Sequence, residues 1–163
     1  MAVRTAIYPG SFDPVTHGHV DIIRRAARMF ERVIIVVMNN SAKRSLFSVE
    51  ERVKMIETVV GDAENVEVDS HEGLLIDYCK EHDIRTCIRG LRAVTDFEYE
   101  LQSAQTNKAL SLGMVDTVFL TTSLNYSYVS SSVAREIASY GGDVSLLVPE
   151  HVAQALKDKF GDQ

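Results

Sequence analysis

Residues 33–38 read Val-Ile-Ile-Val-Val-Met. Six consecutive apolar residues rich in β-branched side chains favour an extended strand, and a strand without polar alternation has to be covered on both faces. Helices on both sides of a sheet provide that cover, and the rest of the chain supplies them. Residues 3–8 read as a strand. Residues 18–30 read as a helix, with Val20, Ile23, Ala27 and Phe30 at helical spacing. Ser48-Val49-Glu50-Glu51 is a capping box whose helix runs to about residue 60. Residues 66–68, 86–88 and 115–120 are strands, and 73–82 is a helix. Thr95-Asp96-Phe97-Glu98 reads as a second capping box, opening a helix to about residue 112. Residues 130–139 form a helix, and Pro149 opens the last one. This alternation specifies an α/β fold: a doubly wound, Rossmann-like, five-stranded parallel sheet of order 3-2-1-4-5, with helices on both faces. No repeat or linker divides it, so residues 1–163 are expected to form one domain.

In that order strands 1 and 4 are neighbours at the switch point, where ligands bind beyond the carboxyl ends of the strands. Strand 4 leads into Arg89-Gly90-Leu91-Arg92. Strand 1 leads into the stretch at positions 8–19, Y-P-G-S-F-D-P-V-T-H-G-H. Gly10 can let the backbone approach a ligand closely. Ser11 offers a hydroxyl and an N–H, and Asp13-Pro14 suits a tight turn. Thr16, His17, Gly18 and His19 stand at a helix start, where free N–H groups favour an anion and a histidine can donate to a phosphate. The same residues also fit a plain strand–helix turn with both histidines solvated. An H-x-H metal pair would need further ligands that the sequence does not offer, so no metal site is assigned.

Composition narrows the function classes. The 17 basic and 23 acidic residues give a net charge of -6, which argues against nucleic-acid binding while leaving room for a local basic pocket. No apolar run approaches the roughly 20 residues of a membrane span, and the run behind Thr5 is too short for a signal-peptide core. A cytoplasmic protein without membrane partners is expected. Cys79 and Cys87 match no CxxC or zinc spacing and read as reduced core residues.

T-x-G-H behind a strand ending in P-G-S-F-D-P resembles the [HT]-x-G-H signature of the nucleotidyltransferase superfamily. Thr16 takes its first position, His19 its last, and His17 the variable one. Four further segments follow in order: N-N-S-A-K-R-S-L-F around Lys43, I-R-G-L-R at 88–92, D-F-E-Y-E at 96–100 and Y-S-Y-V-S-S-S at 126–132. Together they resemble the bacterial phosphopantetheine adenylyltransferase family over essentially the whole chain. Departures are small: Ser11 stands where many relatives carry threonine, His17 where asparagine is frequent, and Tyr126 where some have tryptophan.

The resemblance implies transfer of AMP from ATP to the 4′-phosphate of 4′-phosphopantetheine, giving dephospho-CoA and pyrophosphate in coenzyme A synthesis. It implies His19 as the catalytic stabiliser of the α-phosphate. Ser11, Lys43, Leu75 and Arg89 would bind phosphopantetheine. Ser11, Phe12 and His19 would meet ATP, together with Gly90, Leu91, Arg92 and Glu100. Tyr126, Ser127, Tyr128 and Val129 would shape the adenine pocket, and Ser130, Ser131 and Ser132 would hold the outer phosphates. Mg²⁺ would be bound mainly through the ATP phosphates. The family also implies a homohexamer and CoA as a competing ligand.

This chemistry suits the residues present. The nucleophile is already an anion and needs no general base, so the task is positioning and charge stabilisation. Taken singly, each candidate has an ordinary explanation. Arg89 and Arg92 could be surface cations, and Lys43-Arg44 a solvated loop pair. The serines could cap a helix, Glu100 could be solvated, Leu75 could be core, and Tyr126 and Tyr128 could be packing residues. Their ordered co-occurrence argues for a site. A nicotinamide-mononucleotide adenylyltransferase or glycerol-phosphate cytidylyltransferase is opposed by L-R-A-V-T-D-F-E-Y-E and Y-V-S-S-S. A nucleotide-sensing module without catalysis is opposed by His19, Lys43 and both arginines.

Overall fold

In a computed structural model, which describes residues 4–42 and 44–161, the apolar run at 33–38 lies within β2 (Arg32–Asn39). Its neighbours are β1 (Thr5–Gly10) and β3 (Val66–Glu72); β4 (Thr86–Leu91) and β5 (Asp116–Thr121) complete the sheet. All pairs are parallel and the order is β3-β2-β1-β4-β5, as the alternation of segments specifies. Strand β2 is covered on both faces. Val33, Ile35 and Val37 enter one core cluster, and Ile34 and Val36 the other, the two-residue period of a pleated strand. The first cluster is closed by α1 (His17–Met29), α2 (Val49–Val60), α5 (Ser131–Ser139) and α6 (Glu150–Phe160), through Ile22, Ile56, Ala134 and Leu156 among others. On the opposite face α3 (Leu75–Glu81) contributes Ile76 and Cys79, and α4 (Val94–Leu110) follows β4. Cys79 and Cys87 are buried and free.

Several boundaries differ from the sequence expectation. Strands β1 and β4 extend to Gly10 and Leu91, so Arg89, Gly90 and Leu91 lie in the strand rather than behind it. Strand β3 continues to Glu72, pairing along β2 as far as Asn39; at a sheet edge its polar residues reach water, so no apolar pattern announces them. Helix α3 begins at Leu75, because Gly73 (φ 120°) turns the chain first. The box at Ser48 forms, with Ser48 and Glu51 reciprocally bonded. The one expected at Thr95 does not: the cap lies two residues earlier, at Ala93, with no side-chain cap bond. Asp96 instead accepts from the Arg92 N–H at 3.3 Å. The same helix stops at Leu110, because Leu112 and Gly113 take positive φ values of 53° and 81°.

Strands β1 and β4 pair only through Ala6 with Thr86 and Ile7 with Cys87. Pro9, with no N–H to donate, stands in the segment where that pairing has ended. There the sheet opens.

Candidate active site

The opening is a cleft of about 430 Å³ at the carboxyl ends of β1 and β4, bordered by the first turns of α1, α4 and α5. It brings together Ser11, Phe12, His19, Arg89, Gly90, Arg92, Glu100, Val129, Ser130, Ser131 and Ser132, all named from the sequence. Tyr8, Thr16, Gly18, Ile22, Asp96, Tyr99 and Thr122 also line it. Leu75, Leu91, Tyr126, Ser127 and Tyr128 do not. Leu75 packs against the α3-side core, and Leu91 faces a neighbouring groove with Phe97 and Leu124. Tyr126 stacks on His17, and Tyr128 is exposed. Lys43 lies outside the described residues.

The T-x-G-H spacing is helix-capping geometry. Thr16 caps α1, its Oγ1 accepting from the His19 N–H at 3.3 Å, while His19 Nδ1 accepts from the Thr16 N–H at 3.0 Å. This is a reciprocal capping box with histidine where glutamate or glutamine is usual. Because Nδ1 is occupied as an acceptor, the network assigns the neutral ring its proton on Nε2, leaving Nε2–H as the free donor. Burial, then the charges of Arg92 and Arg89, lower the His19 pKa from 6.5 to about 4. The free protein therefore keeps a neutral, fixed donor at physiological pH.

In ¹⁵N imidazole NMR of the ligand-free protein, His19 should show one protonated Nε2 and no titration between pH 5.5 and 8. The unfolded chain takes up this proton near 6.5 and the folded chain only near 4. Stability is therefore complete above about 6.5 and falls as the pH drops through that window. A ring that titrates near 6.5 contradicts the assignment.

His17 turns away from the cleft. Its ring stacks on Tyr126 at 5.9 Å, its Nε2 lies 3.3 Å from the Ser145 carbonyl, and its N–H donates to Leu147 O.

Gly10 serves the loop itself. A Cβ there would meet the Phe12 ring at 3.1 Å, so glycine makes room for that ring rather than only for a ligand. Phe12 is 1% exposed, packs edge-on against Tyr8 and His19, and holds a φ of 46°. For a bulky residue this is a true backbone outlier. With its ring buried, Phe12 meets the cleft through its backbone. At Gly18, by contrast, a Cβ would make only ordinary contacts with Thr16, Tyr126 and Thr122.

Both cleft arginines are already paired. Arg89 binds Glu100 through two bonds of 2.7 and 2.8 Å and donates to the Pro9 carbonyl at 2.8 Å. Burial opposes the Arg89 charge, but the Glu100 hydrogen bonds and charge outweigh it and raise its pKa. Arg92 binds Asp96 and reaches the Val129 carbonyl at 3.1 Å. Burial also holds the Tyr8 phenol, which faces these groups, well above its ordinary pKa. At α5, Ser130 caps the helix by accepting from the Val133 N–H, and Ser131 Oγ donates to Pro14 O at 2.7 Å. The first-turn N–H groups of this helix stand at the cleft, as an anion site requires.

The arrangement can bind a polyanion through neutral donors and paired cations, with one histidine aimed as a donor. The cytidylyltransferase-like family model matches residues 7–137. A phosphopantetheine adenylyltransferase of Lachnoclostridium phytofermentans is 55% identical over 97% of this chain and 96% of its own length. One from Staphylococcus carnosus is 52% identical over 99% of each. In fold, the chain resembles the nicotinic acid mononucleotide adenylyltransferase of Plasmodium falciparum, solved with NaAD, at a TM-score of 0.72 and 15% identity over 98% and 97% of the two chains. A capped T-x-G-H helix at the switch point of a 3-2-1-4-5 sheet, with more than half of its residues shared with such relatives, makes the chain a member of the phosphopantetheine adenylyltransferase family.

Proposed function

We propose that the protein transfers the adenylyl group of ATP to the 4′-phosphate of 4′-phosphopantetheine, forming dephospho-CoA and pyrophosphate for coenzyme A synthesis. The observation that carries this reading is the neutral His19, held by Thr16 with Nε2–H as its free donor, in the cleft that also gathers Arg89, Arg92 and the α5 N-terminus. A phosphate oxygen of phosphopantetheine attacks the α-phosphorus of ATP. The bond from that phosphorus to the bridging β-oxygen breaks, and pyrophosphate leaves. No proton has to be removed, which fits a site with no free base among its described residues. His19 donates to the α-phosphate oxygen as charge grows there. Ser131, Ser132 and the amides of α5 face the outer phosphates, and Ser11 and Arg89 face the acceptor phosphate. A Cβ at Gly18 would meet nothing closer than 3.6 Å in the protein, so packing within the chain does not itself require glycine there.

The described residues hold no group of three His, Cys, Asp or Glu side chains that could hold a metal ion, and the cleft carboxylates of Asp96 and Glu100 are in ion pairs. Mg²⁺ is read as bound mainly through the triphosphate, where it would screen charge. The protein is read as a cytoplasmic homohexamer of one-domain chains, with CoA as a competing ligand; light scattering should give a mass near six chains. No helix of the described structure is long and apolar enough to cross a membrane.

A substrate panel tests the reading. Pyrophosphate should appear with ATP and phosphopantetheine, and not with nicotinamide mononucleotide or glycerol phosphate. Lys43→Ala should weaken phosphopantetheine binding about tenfold to a few hundredfold, the worth of a charge-assisted bond to phosphate, and leave ATP binding nearly intact. Calorimetry that finds phosphopantetheine affinity unchanged removes Lys43 from the site.

A further inference from the structure

Arg52, on α2, is 2% exposed, and among the described residues it forms no ion pair. The other three guanidiniums that touch the cleft or its loops all have carboxylates: Arg89 has Glu100, Arg92 has Asp96, and Arg135 has Asp13. A buried cation is normally paired, because an unpaired one is costly. Arg52 is satisfied by carbonyls instead. Its Nη1 donates to Ser11 O at 2.9 Å and more loosely to Met38 O at 3.4 Å, and its Nε reaches Ser48 O at 3.3 Å. One side chain thus ties the signature loop to the end of β2 and to the cap of α2.

The bond to Ser11 has a geometric consequence. A trans peptide is planar, with the carbonyl of one residue antiparallel to the N–H of the next. Holding Ser11 O toward Arg52 turns the Phe12 N–H the opposite way. That N–H has no acceptor among the described residues, Phe12 lines the cleft, and its φ of 46° is a conformation that persists only when its surroundings enforce it. We propose that Arg52 is a positioning residue: its guanidinium fixes the Ser11–Phe12 peptide so that the Phe12 N–H is presented to a phosphate in the cleft. The identity of that phosphate rests on the adenylyl-transfer reading above. The charge of Arg52, which has no ion-pair partner among the described residues, adds to the field beneath the same loop.

Arg52→Lys and Arg52→Met test this, beside Ile56→Val, a buried apolar change one turn along the same helix that removes no hydrogen bond to the loop. Lysine keeps the charge but offers one donor point where the guanidinium forks between carbonyls. Crystal structures of the variants should show the Ser11–Phe12 peptide rotated. Pyrophosphate-release kinetics, run well below each melting temperature, should show kcat lowered about 10–100-fold for Arg52→Lys. KM for both substrates should stay within about threefold. Ile56→Val should melt earlier yet keep the parent kcat, which separates positioning from lost stability. If Arg52→Met does not fold, Arg52→Lys decides. An Arg52→Lys protein with the parental peptide orientation, or with parental kcat, overturns the proposal. A parent protein that is inactive with phosphopantetheine overturns the adenylyl-transfer reading instead, and the peptide orientation still decides the role of Arg52.

Discussion

Replacing His19 by alanine is expected to lower turnover by about 10²–10³-fold, the usual cost of deleting one preorganised donor to a transition-state oxygen. ATP affinity should change little, because the bond strengthens only as charge builds on the α-phosphate. The substitution also removes one half of the α1 capping box. That part should appear as a small loss of stability, on the order of 1 kcal/mol or less, and can be read separately by thermal melting. His17→Asn is the internal control. The His17 ring stacks on Tyr126 and lies outside the cleft, so this variant should stay within about threefold of the parent in steady-state pyrophosphate release. An inactive His17→Asn beside a folded, active His19→Ala would mean that the signature has been aligned on the wrong histidine.

The second large effect is expected at Glu100. Its carboxylate is the only acidic partner of Arg89 among the described residues, and its side chain is 11% exposed. Removing one member of a fully buried pair costs about 3–5 kcal/mol. The Arg89 side chain is 31% exposed, so water recovers part of this and about 2 kcal/mol is the better expectation. For a chain of this length that lowers Tm by roughly 4–8 °C. Glu100→Ala should also weaken phosphopantetheine binding, because Arg89 would be left with only the Pro9 carbonyl to hold it. Glu100→Gln retains one acceptor and should lose less in both respects. A Glu100→Ala protein with unchanged Tm and unchanged phosphopantetheine affinity would show that the pair does not set the position of Arg89.

What the sequence made legible follows from which interactions are local. Ser48 and Glu51 contact each other within one turn, so their box could be read in advance. The VIIVVM run marked a two-faced strand because burial on both sides leaves no polar position. The later part of β3 was hidden, since an edge strand can carry Asp69, Ser70, His71 and Glu72 and still pair. Thr95 matched a capping pattern, but Asp96, reaching back to Arg92, sets the start of α4. At the site, T-x-G-H located the turn that borders the cleft. Its role as a cap was not visible, because histidine is not a usual residue at the third helical position. Arg52 and Tyr8 were missed as parts of the site, and Asp13 was read only as a turn residue. Arg52 finds its partner 41 residues away at Ser11, and the Asp13 carboxylate accepts from the N–H groups of Leu46 and Phe47. Such links exist only once the sheet has brought the loops together. Tyr8 differs in kind: as part of an apolar strand it gave no sign that its hydroxyl faces the cleft.

The central claim is that the α-phosphorus of ATP is attacked and that AMP moves to the acceptor. Incubation of the protein and 4′-phosphopantetheine with ATP labelled at either the α- or the γ-phosphate separates this from every other phosphate transfer. The α-label should appear in dephospho-CoA and the γ-label in pyrophosphate, with neither product formed when phosphopantetheine is omitted. Recovery of the γ-label on the acceptor together with ADP, or release of the label without any acceptor, would contradict the account.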